Sequence, residues 1–533
     1  MKKRLFWAML PLVAMPFFSC EDDEPDVGFD QSSQFQEFQA GEIRLGEKIN
    51  SPVTLRNMQR AADSLVQRNG MVLRSAQQLE ATHLYVRFLP KDSAEYELLV
   101  GDTLLDPTPY PWDYELTEGD SYHDPSLPHD AYQWQYTVIP AEHDLEQYNV
   151  RYEVLEELYM PNEMFDEESS ISTRSTSEET AYLKELLDES VRQNAPDQME
   201  PTETLRKWTP AATIKAYDDI LDAYIPLDGV KVRITTFAFV KKTAITNIYG
   251  QVSFDKRNRD VSYSIEWERD NWDIRDGGTQ AYFHGPDDTK SAWNLNIGKG
   301  TPKSLHISAI HRALLKYYYG NIDGLIRPSK ALKVSYQTGA DPDGSALGST
   351  QSAIVRTWSW IFSAIKIYEK DSKGVCDVSR IFNSTIHELA HACRMSKDEY
   401  DNTSKFIRDS WASAVDWYLT LQEYERLGAK ASRLWSLDIN CNQQSWPDYK
   451  NLSLIYSPLF IDVLDTENQG IFDEMFPFDE VSGYSISLID KNLTTLKCYD
   501  DVERFLLKNK PSYITNSQIY TLLKLYKEKW TEK

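Results

Sequence analysis

His387, Glu388 and His391 stand in the run Thr385-Ile386-His387-Glu388-Leu389-Ala390-His391-Ala392, and their spacing constrains this chain more than any other feature. Residues four apart on a helix project from one face about one turn apart, so two imidazoles placed this way reach a single ion. The glutamate between them faces the same space. HExxH on a helix is the pattern of a zinc site with its own general base: the histidines hold the metal, and Glu388 takes a proton from the attacking water. Ile386, Leu389, Ala390 and Ala392 are apolar or small, which suits a helix buried across a cleft. The competing reading is a helix whose two histidines are hydrogen-bonded core residues.

At 533 residues, 41% of them hydrophobic, the chain is long enough to bury several cores, and an α+β multidomain architecture is expected. The start differs in character from the rest. Met1-Lys2-Lys3-Arg4 is basic, Leu5 to Phe18 is apolar, and Ser19-Cys20 closes the stretch. That is too short to span a bilayer and reads as a secretory signal over residues 1–19. Residues 20–52 are acidic and polar and read as a tether, beginning with Glu21-Asp22-Asp23-Glu24. The net charge of -25 becomes -28 without Lys2, Lys3 and Arg4 (-25 - 3), a surface that repels nucleic acid and anionic lipid. No nucleic-acid partner is expected. Beyond Cys20 there are only Cys376, Cys393, Cys441 and Cys498 and no CxxC pair, which argues against a disulfide framework and a cysteine-ligated structural zinc.

Residues 53–165 read as a mixed α+β module, with helical spacing from Arg56 to Gln67 and strand alternation at Thr82–Leu89, Tyr136–Pro140 and Tyr148–Val154. Residues 166–205 combine a Ser/Thr/Glu-rich linker with a helix at Tyr182–Gln193. From 206 to 280 the pattern is of strands: Val232–Val240, Ala244–Ile248, Val252–Phe254 and Val261–Glu268. From 281 to 533 it is mainly helical, with helices expected at Ser304–Tyr319, Ala353–Tyr368, Ser379–Arg394 and Phe406–Leu427, and one short strand at Lys333–Tyr336. His306 and His311, five apart on a helix, point in different directions and make poor co-ligands.

Several motifs carry resemblances. Ser19-Cys20 with the acidic run behind it resembles the start of Bacteroidetes-type surface lipoproteins, which implies lipidation of Cys20 and an outer-membrane, surface-exposed location. Thr246-Asn247-Ile248-Tyr249-Gly250-Gln251-Val252-Ser253-Phe254 resembles the hairpin of carboxypeptidase-regulatory-like domains, which implies a small β-sandwich over 206–280 with Gly250 at a left-handed turn position. The HExxH helix followed by a long helix resembles the gluzincin class of zincin metallopeptidases. The metzincin pattern is excluded by Arg394 and Lys397, which stand where that class needs glycine and histidine.

Related lipoproteins read like HELAHA…ESWA…WYLT, and here Asp409-Ser410-Trp411-Ala412 and Trp417-Tyr418-Leu419-Thr420 match the last two motifs. The resemblance therefore implies a zincin-like catalytic domain over 281–533, zinc as cofactor, and Asp409 as third ligand in place of the usual glutamate. Asp416, Asp398 and Glu399 stay open as alternatives for that ligand, and Asp416 is also placed to orient a histidine. Tyr456 is the candidate oxyanion donor, against a structural tyrosine. The function implied is a cell-surface zinc endopeptidase acting on protein or glycoprotein substrates. A weakened relative of that fold, or a glycan- or protein-binding lipoprotein, is the alternative.

Overall fold

The computed structural model describes residues 41–69, 78–128, 131–161, 164, 177–195, 207–340, 348–350, 365–371, 374–394, 403–434, 458–466, 468 and 480–527. Residues 1–40, which hold the expected signal segment and Cys20, lie outside them, as do Asp398, Glu399, Cys441 and Tyr456. Helices and strands are mixed throughout, as the α+β reading requires.

A sheet under the histidine helix is built on three parallel strands, Trp272–Asp276, Leu332–Ala340 and Ile365–Asp371, with Gly348–Thr350 antiparallel to the last. Parallel neighbours need a crossover, and the helix Pro302–Tyr319 lies between the first two strands in sequence. This helix is covered on nearly every side: Ile307, Ala309, Ile310, Ala313 and Leu314 are all buried. The histidine helix Val378–Arg394 packs against it, and the helix Lys405–Arg426 packs on the histidine helix in turn. One continuous apolar core joins these helices to the strands and to the C-terminal helices Tyr499–Asn509 and Asn516–Lys527.

Two further sheets sit on the chain's middle third. Ala211–Asp218 pairs in parallel with Trp293–Ile297 and antiparallel with Gln251–Ser253. Lys231–Thr236, Val240–Ile245, Ser262–Glu266 and Tyr282–His284 form a sheet that Gly119–Ser121 and Gly41–Glu42 extend. The strands of 206–280 are thus shared among three sheets, each of which also takes strands from outside that range. N-terminal to them, Gln135–Pro140, His83–Leu89 and Arg151–Leu158 make a three-stranded sheet, while the helices Leu55–Asn69 and Ser177–Asn194 pack on each other.

The differences from the sequence reading have identifiable causes. Val232–Val240 is not one strand: Phe237 and Ala238 take φ of 55° and 69° and turn the chain into a hairpin. Phe237 and Phe239 are buried in the N-terminal core, and that burial holds the strained turn. Ile365–Tyr368 is strand and not helix, because Ile365 and Ile367 pair beside Val334 and Tyr336 and both are fully buried. The expected mainly helical run from 281 contains the strands Tyr282–His284 and Trp293–Ile297. The alternation Trp293-Asn294-Leu295-Asn296-Ile297 carries a strand period. Gly250 has φ of 72°, and a β-carbon there would lie 2.3 Å from the Ile214 carbonyl oxygen, so the turn requires glycine.

Candidate functional site

Asn383, His387 and His391 occur at i, i+4 and i+8 of the helix Val378–Arg394, one stripe along its length. Ile381, Phe382, Ile386 and Leu389 are fully buried and hold the helix in the core, so the stripe faces a neighbour and not bulk water. That neighbour is the helix Lys405–Arg426, which presents Asp409, Asp416 and Thr420. The two stripes meet antiparallel. Asn383 Nδ2 donates to Asp416 Oδ1 at 3.0 Å and to Thr420 Oγ1 at 3.2 Å. His387 Nδ1 lies 2.8 Å from Asp416 Oδ2. His391 Nε2 lies 3.4 Å from Asp409 Oδ1.

The two imidazoles approach through their Nε2 atoms, 3.1 Å apart, with ring planes at 76°. Nitrogens at that separation, each about 2.0–2.1 Å from one ion, subtend roughly 100° at it, close to a tetrahedral angle. His387 Nδ1 donates to Asp416, which leaves its Nε2 turned toward His391. Glu388, on the same helix, is buried.

Burial raises both carboxylates, and hydrogen bonding separates them. Burial disfavours a charged His387 ring, but the hydrogen bond and charge of Asp416, helped by Glu388 and Asp409, push its pKa up to about 9. Asp416 is raised by burial against the pull of His387 and the Asn383 amide, and both its oxygens are engaged. Asp409 is also raised by burial, opposed by the charges of His387, Lys405 and Arg408. Its Oδ2 is buried with no hydrogen-bond partner. An orphaned, desolvated carboxylate oxygen beside an imidazole is where a cation would be held. The contacts are pairwise, however: among the described residues no group of three or more His, Cys, Asp or Glu side chains is gathered as a metal-holding cluster.

Two consecutive aspartates outside the stripe fix both helices. Asp219, just past the strand Ala211–Asp218, caps the start of the histidine helix, taking the Ser379 backbone N–H at 2.8 Å and its hydroxyl at 2.7 Å. Asp218 is fully buried. Its Oδ2 accepts from Arg312 Nη1 and from the Tyr424 hydroxyl, each at 2.8 Å, tying the crossover helix to the helix that carries Asp409. Its Oδ1 accepts the backbone N–H groups of Ile220 and Leu221.

The structure thus brings His387, His391, Asp409 and Asp416 together and keeps Glu388 on the same helix. His306 and His311 stand apart from this group. Each is buried and donates from Nε2 to a backbone carbonyl, of Cys376 and Asp228 respectively, at 2.8 Å. Trp411 and Trp417 are core residues. Asn383, Thr420, Asp218 and Asp219 also belong to the arrangement, and no motif in the sequence marks them. Extending the i, i+4 stripe back one turn from His387 reaches Asn383, whereas nothing local marks the aspartate pair.

No protein family matches the chain, and no curated protein matches it. Among solved structures it is similar to a 9R-lipoxygenase from Cyanothece PCC8801, at 9% identity over 54% of this chain and 33% of that one, with a TM-score of 0.11. The chain spans about a third of that protein's length, and a TM-score so low carries no statement about fold or chemistry. The resemblance to gluzincin metallopeptidases, with its attached carboxypeptidase-regulatory-like module, is corrected by these findings. No family supports it, the region beyond residue 281 is richer in strands than that reading requires, and the described residues hold no closed metal cluster.

Proposed function

We propose that the chain is a metal-dependent hydrolase that cleaves peptide bonds in protein or glycoprotein substrates. The reading rests on side-chain chemistry and not on kinship. The observation that carries it is the unpaired, buried Oδ2 of Asp409 next to a histidine pair whose Nε2 atoms are 3.1 Å apart. His387, His391 and Asp409 are the residues that would hold zinc, a set of two nitrogens and one oxygen that leaves a position open.

Bound zinc supplies Lewis acidity, polarising a carbonyl and making water a nucleophile near neutral pH. The protein's own groups do the rest. Asp416 holds the His387 Nδ1–H, so that Nε2 is the nitrogen a metal would take, displacing the proton that keeps the metal-free ring charged. Glu388 accepts the proton of the attacking water and returns it to the leaving amine. The Asp219 cap and the Asp218 tether hold the two helices in the register that sets these distances. Lipidation at Cys20 and display on the outer membrane belong to the same proposal, supported by the basic, apolar and acidic order of residues 1–26. Among the described residues no helix is long and apolar enough to cross a membrane.

The test is metal analysis of the purified chain together with a broad peptide-library digest. About one zinc per chain and cleavage that chelator abolishes support the proposal. A chain that takes up no zinc after supplementation overturns it.

A further inference from the structure

We propose that Asn383 is a positioning residue of this site, holding Asp416 in the one orientation that presents His387 Nε2 as the ligand atom. The inference rests on the reading of His387, His391 and Asp409 as metal ligands and adds a residue to it. Asp416 can only accept, so the Asn383 amide must turn its Nδ2 toward Asp416 Oδ1, 3.0 Å away. Nδ2 also donates to Thr420 Oγ1 at 3.2 Å, which anchors the amide between the two helices. Thr420 is fully buried and Asn383 nearly so, so water cannot substitute for either contact.

With Oδ1 occupied by Asn383, and the backbone N–H of Trp417 also bonded to the carboxylate, Oδ2 is left to His387 Nδ1 at 2.8 Å. The chain of contacts Thr420, Asn383, Asp416, His387 runs between two helices and ends at the ligand atom. Asn383 and His387 are one turn apart on the same helix, so rotation of the Asp416 carboxylate is opposed from the element that carries the ligand itself. Groups that orient a metal-bound histidine typically change metal affinity by 10–100-fold when removed.

The test uses the metal-stripped full-length chain, zinc alone as the probe, and a competing chelating indicator as the readout. Asn383→Leu, similar in size and without a donor, should bind zinc about tenfold more weakly than the parent. Asn383→Asp, with the same shape and an acceptor facing Asp416, should lose at least as much, and it decides the matter if the leucine variant does not fold. The double variant Asn383→Asp with Asp416→Asn re-pairs donor with acceptor and should recover part of the loss. A residue needed only for packing would lower the metal-free melting temperature without this rescue. Zinc affinity equal to the parent in both single variants overturns the role of Asn383 while leaving the ligand assignment intact, whereas a parent chain that binds no zinc overturns both.

Discussion

Asp409 and Asp416 lie seven residues apart on one helix and meet different histidines, Asp409 at 3.4 Å from His391 and Asp416 at 2.8 Å from His387. Asp416 spends both oxygens on hydrogen bonds, while Asp409 keeps one buried oxygen unpaired. The same side chain on the same helix face therefore has two roles available: one carboxylate is already committed to orienting a ring, and the other has an oxygen left for a cation.

That asymmetry predicts different degrees of loss for two alanine substitutions. Asp409→Ala should abolish stoichiometric zinc binding, and Asp409→Glu should retain it, since the carboxylate is kept on a longer arm. Asp416→Ala should weaken binding by about 10–100-fold without abolishing it. Zinc titration of the three variants checks this. Undiminished affinity in Asp409→Ala would show that the third ligand is elsewhere.

Glu388 is assigned the proton and not the metal. Glu388→Gln, nearly identical in shape, should keep the zinc stoichiometry of the parent while turnover falls by about 10²–10⁴-fold, the range for loss of a general base. A variant that loses metal and activity in proportion would make Glu388 a structural or ligating group.

The buried knot of Asp218, Arg312 and Tyr424 predicts a stability effect at a distance from the histidines. Asp218→Ala strands the Arg312 guanidinium, the Tyr424 hydroxyl and the backbone N–H groups of Ile220 and Leu221 in the interior. Breaking a buried pair by removing one partner costs about 3–5 kcal/mol. A large drop in melting temperature should result, and Asp218→Asn, which keeps an acceptor but not the charge, should fall between it and the parent. Equal melting temperatures for the alanine variant and the parent would refute the anchoring role.

What could be read from the sequence follows the reach of each interaction. The histidine helix, its glutamate, and the placement of Asp409 and Asp416 on the following helix are set by periods of three and four residues, which a sequence displays directly. Asp416 as the partner of a histidine was visible for that reason. The strand Ile365–Asp371 owes its existence to a neighbour far away in the chain, Leu332–Ala340, whereas Trp293–Ile297 shows its own alternation as well as pairing with Ala211–Asp218. Local pattern competes poorly with such pairing, and a helical reading of Ile365–Tyr368 takes no account of it. The Asp218–Asp219 pair looks like an ordinary polar turn until Arg312, Ser379 and Tyr424 close on it. Motif likeness suggested a family on a few residues, but it could not test the many others that a family must share.

His311 predicts a pH dependence whose sign differs from that of a typical salt-bridged histidine. The ring is fully buried edge-on between Trp267 and Trp272, each at 5.7 Å, and donates from Nε2 to the Asp228 carbonyl. Burial, only partly opposed by that hydrogen bond and reinforced by the charges of Arg269 and Arg312, pushes its pKa down to about 4. In the unfolded chain the ring titrates near its ordinary value of about 6.5. Between those values the unfolded state binds a proton that the native state refuses, so stability rises with pH in this window and is lost as the pH falls from about 6.5 toward 4. At roughly 1.4 kcal/mol for each unit of separation, the loss is about 3 kcal/mol. His311→Gln, which keeps a donor for the Asp228 carbonyl and cannot charge, should flatten the dependence. Thermal unfolding of metal-stripped parent and variant at pH 7, 5.5 and 4.5 measures it: the parent should lose more stability on acidification than the variant, and parallel curves would mean that the His311 ring is charged in the folded protein.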